Sequence, residues 1–111
     1  VEDSQDNRLL ITRLLANYGA EIQEAESAEA AREALLNYQP RIILCDIGMP
    51  DEDGIQFISS LRKAKNNTPA IALTAYARDE EREQFLKVGF QSHVPKPVSI
   101  QTLLTEIKKL I

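Results

Sequence analysis

The stretch RIILCDIGMPDEDG, residues 41–54, decides how the rest of the chain is read. Its apolar run, Ile42 to Cys45, stops abruptly at Asp46. Gly48, Met49 and Pro50 follow, and then three more acids, Asp51, Glu52 and Asp53. A short continuous apolar run with β-branched members suits a strand buried on both faces, as in a parallel sheet covered by helices. Working outward, helix and strand signals alternate. Ser4 can cap a helix over 5–18 that stops at Gly19, and Ser27 an Ala-rich helix to about Asn37 that Pro40 prevents from continuing. Asp53 can cap a third helix, residues 79–88 form a charged helix stopped by Gly89, and Ser99 can cap the last. In that last helix Ile100, Leu103, Leu104, Ile107 and Leu110 recur near every 3.6 residues. Between the helices lie strand candidates at 20–26 (AEIQEAE), 41–46, 70–75 (AIALTA) and 91–95 (QSHVP).

This pattern is α/β: a doubly wound parallel sheet with helices on both faces. Residues 41–46 and 70–75 should be interior, and the half-polar and Pro-terminated strands suit the edges. Five helices are countable but only four strands. An apolar strand is expected ahead of the first helix, truncated so that Val1 is its last residue. Such a strand is expected in the parent protein.

The 111 residues fit a single domain over 1–111. Hydrophobic residues make up 43% and charged residues 27%, as in an ordinary globular domain. A net charge of −4 argues against direct contact with nucleic acid, whose phosphates demand clustered Lys and Arg. No apolar stretch approaches the roughly 20 residues of a membrane span, so no membrane contact and a cytoplasmic location are expected. The single cysteine, Cys45, reads as a small core residue.

In an open α/β sheet, ligands bind beyond the carboxyl ends of the strands. The strand ahead of the first helix delivers Glu2 and Asp3 there, the next apolar one Asp46, the AIALT strand Thr74, and the last one Lys96 between Pro95 and Pro97. Two carboxylates ~4 Å apart repel by about 4 kcal/mol at an effective dielectric near 20, so one must protonate or a cation must sit between them. Hard oxygens without a second His or Cys select Mg²⁺ over zinc, with Mn²⁺ as an alternative. Lys96 and Thr74 supply donors for phosphate oxygens, and Asp46 can be a nucleophile that forms an acyl phosphate. The parts suit phosphoryl transfer, where catalysis is mostly positioning and charge neutralisation. Asp51, Glu52 and Asp53 are read as solvated, with Asp53 as a helix cap and no chemistry for any of them.

These residues together resemble the receiver domain of two-component response regulators, the CheY-like family, over essentially the whole chain. The acid pair is Glu2-Asp3, the phosphoacceptor motif Asp46 with Met49-Pro50 and Asp53-Gly54, the hydroxyl Thr74 and the Lys-Pro pair Lys96-Pro97. The resemblance implies a flavodoxin-like, five-stranded sheet of order 2-1-3-4-5. It implies that Asp46 accepts a phosphoryl group from a phosphohistidine on a histidine kinase or phosphotransfer domain. It further implies that Asp3, Asp46 and the Gly48 carbonyl hold the metal, with Glu2 acting through water, and that Lys96-Pro97 is cis. Phosphorylation would then alter the surface of the fourth helix and fifth strand, which could also serve a homodimer. The domain would catalyse only its own phosphorylation and dephosphorylation. The segment GFQSHVPKPV is similar to receivers within hybrid sensor histidine kinases. One departure stands out: His93 occupies the place of the family's aromatic switch, partner to Thr74, and an imidazole is smaller than a phenol ring and can carry charge.

Three other readings compete. An Asp-nucleophile phosphatase of the haloacid-dehalogenase type needs a second Asp where Gly48 stands. A flavodoxin-type carrier needs a phosphate loop where Glu2-Asp3 would repel phosphate. A degenerate receiver acting only as an interaction module would not need Asp46, Thr74 and Lys96 intact.

Overall fold

The computed structural model describes residues 1–75 and 79–111. Four polar residues start four of its helices. Ser4 begins α1 (Gln5–Ala16), Ser27 begins α2 (Ala28–Leu35), Asp53 begins α3 (Gly54–Lys63) and Ser99 begins α5 (Ile100–Leu110). Each side chain accepts from the backbone N–H three residues on, satisfying a donor the helix leaves unpaired. At Asp53 the cap is reciprocal, because Gln56 reaches back to the Asp53 N–H at 3.0 Å. The charged helix α4 spans Asp79–Val88.

Three strands form one parallel sheet in the order β1 (Ile43–Asp46), β2 (Ala70–Thr74), β3 (Ser92–Pro95). Asp46 lies opposite Leu73, and Thr74 opposite Pro95, so the three strands end together. Alternation along the strands sorts the core into two layers. Cys45, Ala70 and Ala72 pack with Ala28, Ala31, Phe57, Ile58 and Phe85 from α2, α3 and α4. Ile71, Leu73 and Val94 pack with Leu15 and Leu103 from α1 and α5. Helices thus cover both faces, as expected for this class.

Where five strands are expected, the described residues form three, and these are the third, fourth and fifth of the expected order. Residues 21–25 run alongside without becoming a regular strand. The reason is the backbone between them and β1. Val1 and Glu2 lie there as a two-residue stub: the Val1 nitrogen donates to the Leu44 carbonyl at 2.6 Å, the Asp46 N–H to the Val1 carbonyl at 2.9 Å, and the Glu2 N–H to the Ala25 carbonyl at 3.0 Å. So the stub occupies the central position expected of the first strand, and residues 21–25 do not pair directly with β1. Beyond the stub a cavity of about 830 Å³ opens, lined by Ile22, Leu44, Leu73, Leu104 and Ile107 among others. A segment without a neighbour for its N–H and C=O groups has no ladder to make it a strand.

Candidate functional site

Glu2 and Asp3 leave the stub, Asp46 ends β1, Thr74 ends β2, and Lys96 follows β3. The parallel register carries all of them to one edge of the sheet. One carboxylate oxygen each from Glu2, Asp3 and Asp46 lie within 4.8 Å of one another. Glu2 and Asp46 are buried, at 3% and 6% exposure, while Asp3 is exposed. The Lys96 ammonium sits 3.0 Å from Asp46 Oδ1 and 3.5 Å from Glu2 Oε2. Its peptide bond to Pro97 is cis, as expected.

The charges do not balance. Among the described residues, three carboxylates face one side-chain ammonium, and Glu2 Oε2 is buried without a hydrogen bond. Burial, and then the neighbouring Asp46 charge, push the Glu2 carboxyl above its ordinary value despite Lys96. Burial works against the Lys96 ammonium, but its contacts with Asp46 and Glu2 outweigh that and raise its pKa. A buried carboxylate oxygen that has an ion-pair contact but no hydrogen bond, inside an all-oxygen donor set, is the environment a hard divalent cation relieves. The residues therefore fit such an ion.

The loop that follows Asp46 is tied at both ends. The Ile47 N–H donates to the Leu73 carbonyl at 3.0 Å, and the Gly54 N–H closes the loop onto the Ile47 carbonyl at 3.1 Å. Gly48 donates its N–H to Asp46 Oδ1 at 3.2 Å, which orients the carboxylate. A Cβ at Gly48 would meet nothing within 4 Å, whereas one at Gly54 would lie 2.5 Å from the Asp46 carbonyl oxygen and 3.1 Å from Cys45 Sγ. Gly54, then, is the glycine the site cannot do without, because it lets the start of α3 press against the backbone of Asp46. Cys45 behaves as the core residue expected of it: it is fully buried, and desolvation pushes its thiol up to about 12.

Glu52 is partly exposed, as read, but it is also paired. Arg32 of α2 grips both of its carboxylate oxygens, one at 2.5 Å, and holds its carboxyl below the ordinary range. The sequence offers no local sign of this pairing, since the partners are 20 residues apart. Asp53 is a cap, as read.

Thr74 is buried, at 2% exposure, and its carbonyl accepts the Lys96 N–H at 2.8 Å. His93 lies opposite Ala72, two residues back from Thr74, so both side chains leave the same face of the sheet. The imidazole packs against Phe85 of α4 with ring centroids 6.4 Å apart. It lines a cavity of about 300 Å³ with Arg82, Glu106 and Lys109.

With this geometry in place, the comparisons with known proteins are direct. The response regulator receiver domain family matches residues 1–108. An uncharacterized 14.6 kDa protein of Leptolyngbya boryana is 37% identical over 98% of this chain and 85% of its own length. The sensor protein GacS of Pseudomonas syringae is 32% identical over 98% of this chain, which spans only 13% of it. Among solved structures, the receiver domain of the Francisella response regulator 1452 superposes with a TM-score of 0.93 at 28% identity, covering 98% of this chain and 90% of that one. No described helix is long and apolar enough to cross a membrane. Receiver domains work with histidine kinases or phosphotransfer domains. The match spans nearly the whole chain, and this chain belongs to that family: it is a response regulator receiver domain, a phosphoacceptor of two-component signalling.

Proposed function

We propose that Asp46 is the phosphoacceptor, that Mg²⁺ is the ion held by Asp3, Asp46 and the Gly48 carbonyl, and that Glu2 acts on it through water. The observation that carries this reading is the unbalanced cluster: Glu2, Asp3 and Asp46 converge, with a buried oxygen of Glu2 left without a hydrogen bond. When bound, the ion would neutralise charge between the carboxylates and an incoming phosphoryl group. The protein's own residues do the rest. Gly48 N–H and Lys96 both address Asp46 Oδ1, which leaves the other carboxylate oxygen to attack phosphorus. A bond forms from that oxygen to phosphorus as the bond to the phosphohistidine nitrogen breaks. Lys96, already poised between Asp46 and Glu2, follows the negative charge onto the phosphoryl oxygens. Thr74 offers its hydroxyl from the neighbouring strand. The phosphoryl donor is a histidine kinase or phosphotransfer domain in the cytoplasm, and the similarity to GacS favours a receiver carried within a sensor kinase.

The test is incubation with acetyl phosphate and Mg²⁺, followed by intact mass. A stable gain of one phosphoryl group is expected, lost in Asp46→Asn while the far-UV circular dichroism is unchanged. A gain that survives Asp46→Asn, or that does not need Mg²⁺, rejects the assignment. His93 is the proposed switch partner of Thr74, since both leave one face of the sheet and His93 packs on α4. NMR titration of His93 with and without a phosphoryl analogue on Asp46 checks this, and identical curves in the two states would leave it without that role.

A further inference from the structure

The loop 48–53 is anchored at its neck by Ile47 and Gly54 and inside by buried Met49. Its outer limb makes a sharp turn through Asp51, which holds a left-handed φ of 64°. The next residue, Glu52, is then clamped by Arg32. One guanidinium nitrogen meets Glu52 Oε1 at 2.5 Å, and the other meets both Glu52 Oε2 and Ser60 Oγ, the latter at 2.6 Å. Ser60 in turn donates to the Phe57 carbonyl at 2.6 Å, and the guanidinium lies over the Phe57 ring, 5.4 Å from its centroid. Phe57 is fully buried in the core. Arg32 is thus fixed by a hydroxyl and a ring of α3 before it touches the loop, and its planar fork allows Glu52 one geometry. Among the described residues this is the ion pair that ties the loop to another element.

We infer that the Arg32–Glu52 clamp is a positioning device for the metal site, holding the loop so that the Gly48 carbonyl stays presented to the ion. The inference rests on the reading of Gly48 as a ligand given above. Neither residue touches the ion. Met49, Pro50 and Asp51 separate Glu52 from Gly48, and the clamp together with buried Met49 fixes the limb that the neck leaves free. Groups hydrogen-bonded directly to metal ligands commonly change affinity by about 10- to 100-fold when removed, and the clamp, one step further out, belongs at the low end of that range.

Charge and position predict opposite results here, which makes the inference testable. Arg32 is a cation, and removing it would by charge alone tighten binding of another cation. The clamp predicts the reverse. The experiment is isothermal titration of Mg²⁺ into the unphosphorylated domain, with the Gly48 amide followed by NMR. Arg32→Ala is expected to weaken Mg²⁺ binding about tenfold and to shift the Gly48 amide. Arg32→Lys keeps the charge but loses the fork, and it is expected to weaken binding too, where a pure charge effect would leave it unchanged. Glu52→Ala breaks the same clamp from the exposed side, and adding it to Arg32→Ala should cost nothing further. Wild-type binding with unchanged or tighter binding in the folded Arg32 variants overturns the inference and leaves the metal site standing. Absence of Mg²⁺ binding by the wild-type domain overturns the metal site itself, and the clamp's role with it.

Discussion

The two sides of β1 differ in how they are built. Towards β2 every residue from Ile43 to Asp46 has a partner, and the helices above bring Phe57 and Ile58 to full burial. Towards residues 21–25 the pairing lasts only for Val1 and Glu2, and a cavity of about 830 Å³ takes over. Asp46 is served by both sides: its carboxylate is fixed by the closed side and its acidic neighbours come from the open one. The lesson is that the nucleophile rests on a packed framework, while the acid pair beside it is held by hydrogen bonds: the Glu2 N–H to the Ala25 carbonyl, and the Arg8 guanidinium to the Glu2 carbonyl at 2.8 Å.

The largest effect should come from the closed side. Gly54→Ala drives a Cβ to 2.5 Å from the Asp46 carbonyl, a backbone contact that cannot be relieved by turning a side chain. A loss of about 4 kcal/mol is expected in urea denaturation, and a loss below about 1 would show that α3 is not pressed against β1. Next comes a matched pair. Ile58→Ala on the closed side should cost about 3 kcal/mol, whereas Ile22→Ala, on the cavity wall and only half-buried, should cost about 1. Equal costs would erase the comparison.

The smallest effect is electrostatic. Burial and Asp46 raise the Glu2 carboxyl in the folded state above its unfolded value. The folded protein therefore binds that proton more tightly. Stability should fall as pH rises from the ordinary carboxyl range through the raised value, and stay lower above it. Glu2→Gln removes this penalty. In metal-free buffer it should stabilise by about 1 kcal/mol at pH 7 and by nothing near pH 4. Saturating Mg²⁺ should shrink the difference, because the ion offsets the same repulsion. A variant equally stable relative to wild type at both pH values would show that Glu2 carries no such penalty.

Much of this molecule was legible because its signals are local. A cap acts over three residues, so Ser4, Ser27, Asp53 and Ser99 marked their helices correctly. The runs 41–46 and 70–75 became β1 and β2 to within two residues, since apolar continuity reflects burial on both faces. Residues 20–26 failed as a strand because a strand is made by its neighbour, and most of that edge faces a cavity. The pairing of Glu52 is invisible in the sequence for a similar reason: its partner Arg32 lies on another element, brought close only by the packing of α2 on α3. Gly48 and Gly54 look alike in sequence, yet only the second has backbone against it.

The amino-acid sequence alone determined that this is an α/β chain whose strand tips carry Asp46, Thr74, Lys96 and the Glu2-Asp3 pair. Local patterning is enough for that, because burial and capping are written residue by residue. Tertiary structure alone decided which carboxylate oxygens meet, which of them lacks a hydrogen bond, and that Arg32 grips the loop after Asp46. Those outcomes depend on distances between segments far apart in the chain, and electrostatic repulsion and hydrogen bonding act through distance, not through sequence separation.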